Sequence, residues 1–163
     1  MGQFLTSASR VEQLPRKTMY KLLDNELYQD DDGSIYLAWR NYDTDNFTWL
    51  NHSGYDIRCS HIHDICCEYH QIVRVKLTKS ELETIGYLRY YKGKTICENI
   101  PTNFLEVLSI SRAESNNIFY RMLKSADNPK TPKHIQILYR AGVSLNIKWL
   151  FTGKRKINLN TIY

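Results

Sequence analysis

The chain has 163 residues, of which 42% are hydrophobic and 24% are charged, and its formal net charge is +5. This length fits one domain over residues 1–163, and this composition excludes an intrinsically disordered chain. The sequence shows no secretory leader and no apolar run of membrane-spanning length, so we expect neither export by a signal peptide nor a membrane span.

The first predicted element is a β-hairpin that follows an N-terminal arm over residues 1–20. Strand-forming residues occupy 26–28 and 34–39, and the acidic turn between them contains Gly33, which tolerates a positive φ. Residues 46–50 predict a further short strand, and residues 51–54 predict a turn.

The segment 59–70 holds three of the four cysteines and three of the five histidines. Cys59, His63, either Cys66 or Cys67, and His70 recur at steps of three and four residues, so the segment is predicted to be a helix with these side chains on one face. The alternation in residues 72–77 predicts a short strand or an extended connection.

Three later helices have start signals. Thr78 and Glu81 form a predicted capping box, and Ser111 and Glu114 repeat the same pattern. A third helix is predicted to begin after Thr131 and Pro132 and to run to about residue 151.

Gly153 is the predicted stop of that helix, and residues 152–163 are predicted to form a basic C-terminal tail. The predicted fold class is therefore α+β, with a small β-hairpin or sheet near the N-terminus followed by about four packed helices.

Over roughly residues 52–145 the sequence resembles a phage- and prophage-encoded family of unknown function. In that family a helical His-Asp-x-Leu-Tyr motif precedes a helix of the form Ser-Arg-x-x-Ala-Asp-x-x-Phe-x-x-x-Leu. His63 and Asp64 match the first motif, and Ser111 and Phe119 match the second. The chain departs from the family at 66–67, where two cysteines replace Leu-Tyr, and in the second helix, which lacks the Ala-Asp pair. The resemblance implies a viral origin, and with it the virion or the host cytoplasm as the location.

The predicted helix at 59–70 allows three roles. Cys59, His63 and Cys67 could be ligands of zinc or another divalent ion, although no cofactor is the simpler expectation. His63 could instead be a general base and Asp64 its neighbour in a catalytic site. In the third interpretation the cysteines pack as small hydrophobic residues, and His63 bonds to a neighbouring helix.

Two exposed groups are predicted to bind a partner: Tyr87, Tyr90 and Tyr91, and the basic run Lys154, Arg155 and Lys156. We therefore expect a phage-encoded, non-enzymatic interaction protein, either a virion assembly or tail component or a factor that binds a host protein. The alternative is a small hydrolase, metal-dependent or not, centred on His63 and Asp64. Nucleic acid is a weaker candidate partner, and the sequence does not predict the oligomeric state.

Overall fold

The computed structural model describes residues 1–8, 10–15, 19–44, 58–125, 131–145 and 147–163. The predicted strand at 46–50 and the predicted turn at 51–54 lie outside the described residues.

The largest sheet has five antiparallel strands in the order β1-β4-β5-β7-β10. These strands are β1 (Gln3–Phe4), β4 (Glu26–Gln29), β5 (Ile35–Ala38), β7 (Gln71–Val75) and β10 (Leu105–Ser109). The turn between β4 and β5 contains Gly33 at φ +87°, as the predicted hairpin requires. The predicted strand or extended connection at 72–77 is β7, which pairs with β5 on one side and with β10 on the other.

Two smaller antiparallel sheets complete the β structure of the described residues. One has the strand order β2-β3-β6, and the other is a hairpin of β8 and β9. Their strands are β2 (Val11–Gln13), β3 (Tyr20–Leu22), β6 (Asp43–Thr44), β8 (Leu88–Tyr91) and β9 (Lys94–Cys97). Residues 1–20, the predicted arm, thus supply strands to two sheets.

The helices of the described residues are α1 (Arg58–Tyr69), α2 (Lys79–Ile85), α3 (Arg112–Ser125) and α4 (Lys133–Leu145). α1, α3 and α4 stack outward from the five-stranded sheet, whereas α2 packs on β8. α1 packs on β5 and β7, α3 packs on α1 and β1, and α4 packs on α3. Short 3₁₀ turns occupy Thr102–Phe104, Ile147–Phe151 and Leu159–Thr161.

The predicted fold class is wrong, because strands are spread through the chain instead of forming one N-terminal hairpin before a helical bundle. The helix predicted from the Thr78 cap ends at Ile85, since Gly86 adopts the left-handed conformation at φ +97°. Leu88, whose spacing from Leu82 and Ile85 would suit the same helical face, begins β8 instead. The helix predicted to reach residue 151 ends at Leu145.

α1 is the most enclosed helix of the described chain. Every residue from Arg58 to Cys67 except Asp64 is buried, since the sheet lies on one side of the helix and α3 on another. None of the helices in the described ranges combines the length and the hydropathy that a membrane span requires.

Candidate functional site

A fully buried ion pair joins α1 to the sheet. The His61 Nδ1–H group donates to Oε2 of Glu26 on β4 over 2.8 Å, and both side chains have no exposed surface. A buried carboxylate is stable only where hydrogen bonds and an opposite charge replace its hydration. His61 is therefore the predominant polar link between α1 and β4, a role that the sequence did not reveal.

His63 points from α1 toward α3. Its Nε2–H group donates to Oδ1 of Asn116 over 3.1 Å, and its ring centroid lies 4.8 Å from that of Phe119. The Cys67 sulfur lies 3.7 Å from both ring nitrogens, and only 4% of His63 is exposed. These contacts are those of a packed side chain that hydrogen-bonds across two helices.

Asp64 lies on a different side of α1 from His63. The Thr44 hydroxyl donates to Asp64 Oδ2 over 2.5 Å, and Asp64 lines a cleft of about 370 Å³. The structure thus does not bring the two predicted catalytic side chains together, because adjacent helical residues point about 100° apart. Their catalytic role remains a prediction.

The same cleft contains Glu68, one helical turn beyond Asp64. The Tyr42 hydroxyl donates to Glu68 Oε2 over 2.9 Å, and the Arg155 guanidinium pairs with Oε1. Arg155, one of the predicted partner-binding residues, therefore anchors the C-terminal segment to α1. Asp64 and Glu68 thus both have donors, and the cleft is also lined by the carboxylate of Asp43 and by the cations Lys154 and Arg155.

All four cysteines are buried, and none forms a disulfide bond within the described residues. Burial raises the pKa of the Cys66 thiol above its ordinary value, and it raises the pKa of Cys97 to about 12. These two thiols are protonated at neutral pH, whereas metal binding and nucleophilic attack both use the thiolate.

The predicted ligands Cys59, His63 and Cys67 do not form a cluster suited to a metal. Among the described residues, no group of three or more His, Cys, Asp or Glu side chains could hold an ion. Cys59 and Cys67 lie about two helical turns apart, and the Cys67 sulfur lies 3.7 Å from both ring nitrogens of His63. Zinc or another divalent ion remains a prediction.

The predicted partner-binding tyrosines differ in exposure. Tyr90 and Tyr91, near the tip of the β8–β9 hairpin, are 75% and 51% exposed. Tyr87 is half-buried, with its ring centroid 6.2 Å from that of Phe104. Lys154 and Lys156 are exposed beside the anchored Arg155.

Sequence reasoning missed the outward face of α4. Ile137, Leu138 and Leu145 are 63%, 55% and 79% exposed, although α4 already buries Tyr139 and Val143. The signal was in the sequence, because apolar residues at 135, 137, 138, 139 and 143 are too many for one buried stripe.

A second missed signal is the distribution of charge. Residues 128–163 hold seven of the 22 Lys and Arg residues and none of the 17 Asp and Glu residues. The positive charge of the protein is therefore concentrated in α4 and the segment that follows it.

Comparison with known proteins identifies no family, since no family model, no curated protein and no solved structure matches this chain. The resemblance to a phage-encoded family remains a prediction.

Proposed function

We propose that this protein acts by binding an acidic partner protein through the apolar surface of α4 and the basic segment that follows it. We define the α4 surface by its exposed residues Ile137, Leu138 and Leu145. The predicted viral origin would make the partner a virion protein or a host protein. In this proposal His63 is a packing residue, and its burial against Phe119 is the reason to prefer binding over the hydrolase alternative.

The observation that carries the proposal is the exposure of large aliphatic side chains on a helix that is already packed. Contiguous apolar side chains on a surface commonly mark interaction sites, because contact with another molecule removes them from water. Leu150 and Phe151, which follow α4, are also 69% and 72% exposed. Together they offer an anchor set of the kind that binds an amphipathic helix.

Charge complementarity indicates the chemistry of the partner. The exposed cations Lys133 and Arg140 lie on α4, and residues 128–163 contain no carboxylate side chain. A polypeptide with an apolar stripe and flanking glutamates would match both properties. A second copy of the chain would place like charges opposite each other, so self-association is disfavoured.

An anionic membrane is the less favoured occupant. Basic segments that bind anionic lipid usually present clusters of about four to eight Lys and Arg residues. Of the seven Lys and Arg residues in 128–163, only Lys133 and Arg140 share the helix α4 with the apolar surface, and the Arg140 guanidinium lies over the Tyr120 ring of α3, 4.3 Å from its centroid. That guanidinium is directed toward the protein and away from a flat lipid surface.

The test is a titration of a fluorescent, designed peptide that forms an amphipathic helix with leucines on one face and glutamates on the other. We expect saturable binding by fluorescence anisotropy, and we expect Leu138→Ser to weaken it about tenfold, the loss of one anchor side chain. The matched control is Ile85→Ser, because Ile85 is 52% exposed but lies on α2. Circular dichroism verifies that both variants remain folded.

Three outcomes would contradict the proposal. One is equal binding of the peptide by the parent protein and by Leu138→Ser. Another is binding to vesicles containing anionic lipid with no binding of the peptide. The third is a dimer in multi-angle light scattering that Leu138→Ser converts to a monomer.

A further inference from the structure

A groove of about 660 Å³ lies between α3 and the N-terminal end of α4. Tyr120 and Lys124 of α3 line one wall, and Thr131, Lys133 and Gln136 line the other. The Gln136 Nε2–H group donates to the Thr131 carbonyl over 2.8 Å, which fixes Thr131, two residues before the helix, against the first turn of α4. The groove is therefore bounded by two packed helices.

The walls of this groove are positively charged. None of the described residues that line it is acidic, and neither Lys124 nor Lys133 forms an ion pair with a described residue. The Lys124 ammonium lies 4.4 Å from the centroid of the Tyr120 ring, a cation–π contact that leaves its charge uncompensated by a carboxylate.

The start of α4 adds two further features that favour an anion. The first turn of an α-helix has amide groups without intrahelical acceptors, and the helix dipole places partial positive charge there. Thr131 is 1% exposed, and its hydroxyl makes no hydrogen bond with the described residues. A buried hydroxyl without a partner is energetically unfavourable, and a bound acceptor would remove that cost.

We propose that this groove binds a small molecule that carries a phosphate group. The phosphate lies at the first turn of α4, where the Thr131 hydroxyl, Lys133 and Lys124 supply donors and positive charge. The groove is larger than one phosphate, so the ligand has an organic portion that lies beside Tyr120. The groove shares Ile137 and Lys133 with the proposed partner surface, whereas Leu138 and Leu145 lie outside it. Phosphate binding therefore does not require the partner, and Leu138→Ser should leave it unchanged.

Isothermal titration calorimetry with inorganic pyrophosphate and with adenosine diphosphate tests the proposal. Comparison of the two ligands separates the contribution of the phosphates from that of the organic group. We expect both compounds to bind, and we expect Lys133→Gln to weaken each at least about tenfold because one charge-assisted contact is lost. The matched control is Lys79→Gln. Lys79 is the first residue of α2, as Lys133 is of α4, and a threonine precedes each helix. If adenosine diphosphate binds more tightly than pyrophosphate, the part of the groove beyond the phosphate contacts the organic portion of the ligand.

The variant Thr131→Val separates a ligand contact from a structural role. We expect it to weaken pyrophosphate binding while leaving the melting temperature of the unliganded protein unchanged or higher, because the hydroxyl has no hydrogen-bond partner among the described residues. The proposal is overturned if the parent protein binds neither compound at millimolar concentration. It is also overturned if Lys133→Gln binds as the parent does, or if Thr131→Val lowers the melting temperature without changing the affinity.

Discussion

The polar residues of α1 divide between the core and the surface according to the side of the helix on which they lie. His61 faces the sheet and meets Glu26, whereas His63 faces α3 and meets Asn116. Asp64 reaches the cleft at the surface, where Thr44 donates to it. The concentration of cysteine and histidine in this segment thus corresponds to a helix enclosed by other elements.

The Glu26–His61 pair gives the clearest prediction at the scale of single residues. Glu26→Ala should lower the free energy of unfolding by about 3 kcal/mol, because it leaves the His61 ring buried without its acceptor. Glu26→Gln should cost less, about 1 kcal/mol, since the amide oxygen can still accept from Nδ1. Urea denaturation followed by circular dichroism measures both values.

The control for this pair is Glu12→Ala on the exposed strand β2, which should change stability by less than about 0.5 kcal/mol. If Glu26→Ala were as stable as Glu12→Ala, the buried pair would contribute nothing to the attachment of α1 to the sheet.

At the scale of elements, the segment after α4 is held against the end of α1. The rings of Trp149 and His70 stack with centroids 3.9 Å apart and planes 6° apart. The Gly153 N–H group donates to the Glu68 carbonyl over 2.9 Å. Residues 152–163, predicted as a tail, therefore lie against the fold over at least their first part.

Gly153 is required in this arrangement for two separable reasons. It has φ +82°, and a Cβ atom at this position would overlap the His70 ring. Gly153→Ala should therefore lower the free energy of unfolding by about 3 kcal/mol, combining the cost of the left-handed backbone with that of the overlap. Urea denaturation measures the loss.

Gly33→Ala is the matched control, because Gly33 has a similar φ of +87° and open space where its Cβ would lie. It should cost about 1 kcal/mol, the backbone contribution alone. Equal losses in the two variants would show that the stacking of His70 against Trp149 does not depend on the glycine.

Local signals in the sequence predicted the starts of helices better than their ends. Thr78 and Glu81 form the predicted capping box, and Ser111 accepts from the Glu114 amide over 3.1 Å at the start of α3. The end of α2 was missed because an apolar stripe appeared to continue past Gly86, where the left-handed backbone instead stops the helix. Caps are local interactions, whereas the length of a helix depends on what it packs against.

Most missed strands are too short to display an alternating pattern. β1, β2, β3 and β6 have two or three residues each, so their conformation depends on pairing with segments far away in sequence. Register across the sheet, such as Gln3 opposite Gln29, is a tertiary property. The candidate site was harder still, since exposure of Leu138 depends on which face of α4 meets α3.

At the scale of the whole molecule, interactions between distant parts of the sequence connect the sheets and the helices. Arg121 of α3 donates to both carboxylate oxygens of Asp30 over 2.8 and 2.7 Å, next to the β4–β5 turn. The Ile100 N–H group donates to the Tyr163 hydroxyl over 2.9 Å. The apolar core is one continuous cluster that includes both Leu5 and Ile162.

A single core of this kind predicts cooperative unfolding of the whole chain. Far-UV circular dichroism reports on all helices, and tryptophan fluorescence reports on three tryptophans, which include the buried Trp39 as well as Trp149 near the C-terminus. The two signals should change at the same urea concentration, because no packed element can leave without exposing part of the shared core.

Ile162→Ala should lower both midpoints together through a loss of about 2–4 kcal/mol, the usual cost of truncating a buried aliphatic side chain. Leu145→Ala, at a position 79% exposed, should leave both midpoints unchanged. The contrary result is a fluorescence transition at lower urea than the circular dichroism transition, with Ile162→Ala lowering only the fluorescence midpoint. That result would mean that the C-terminal segment separates before the rest of the chain unfolds.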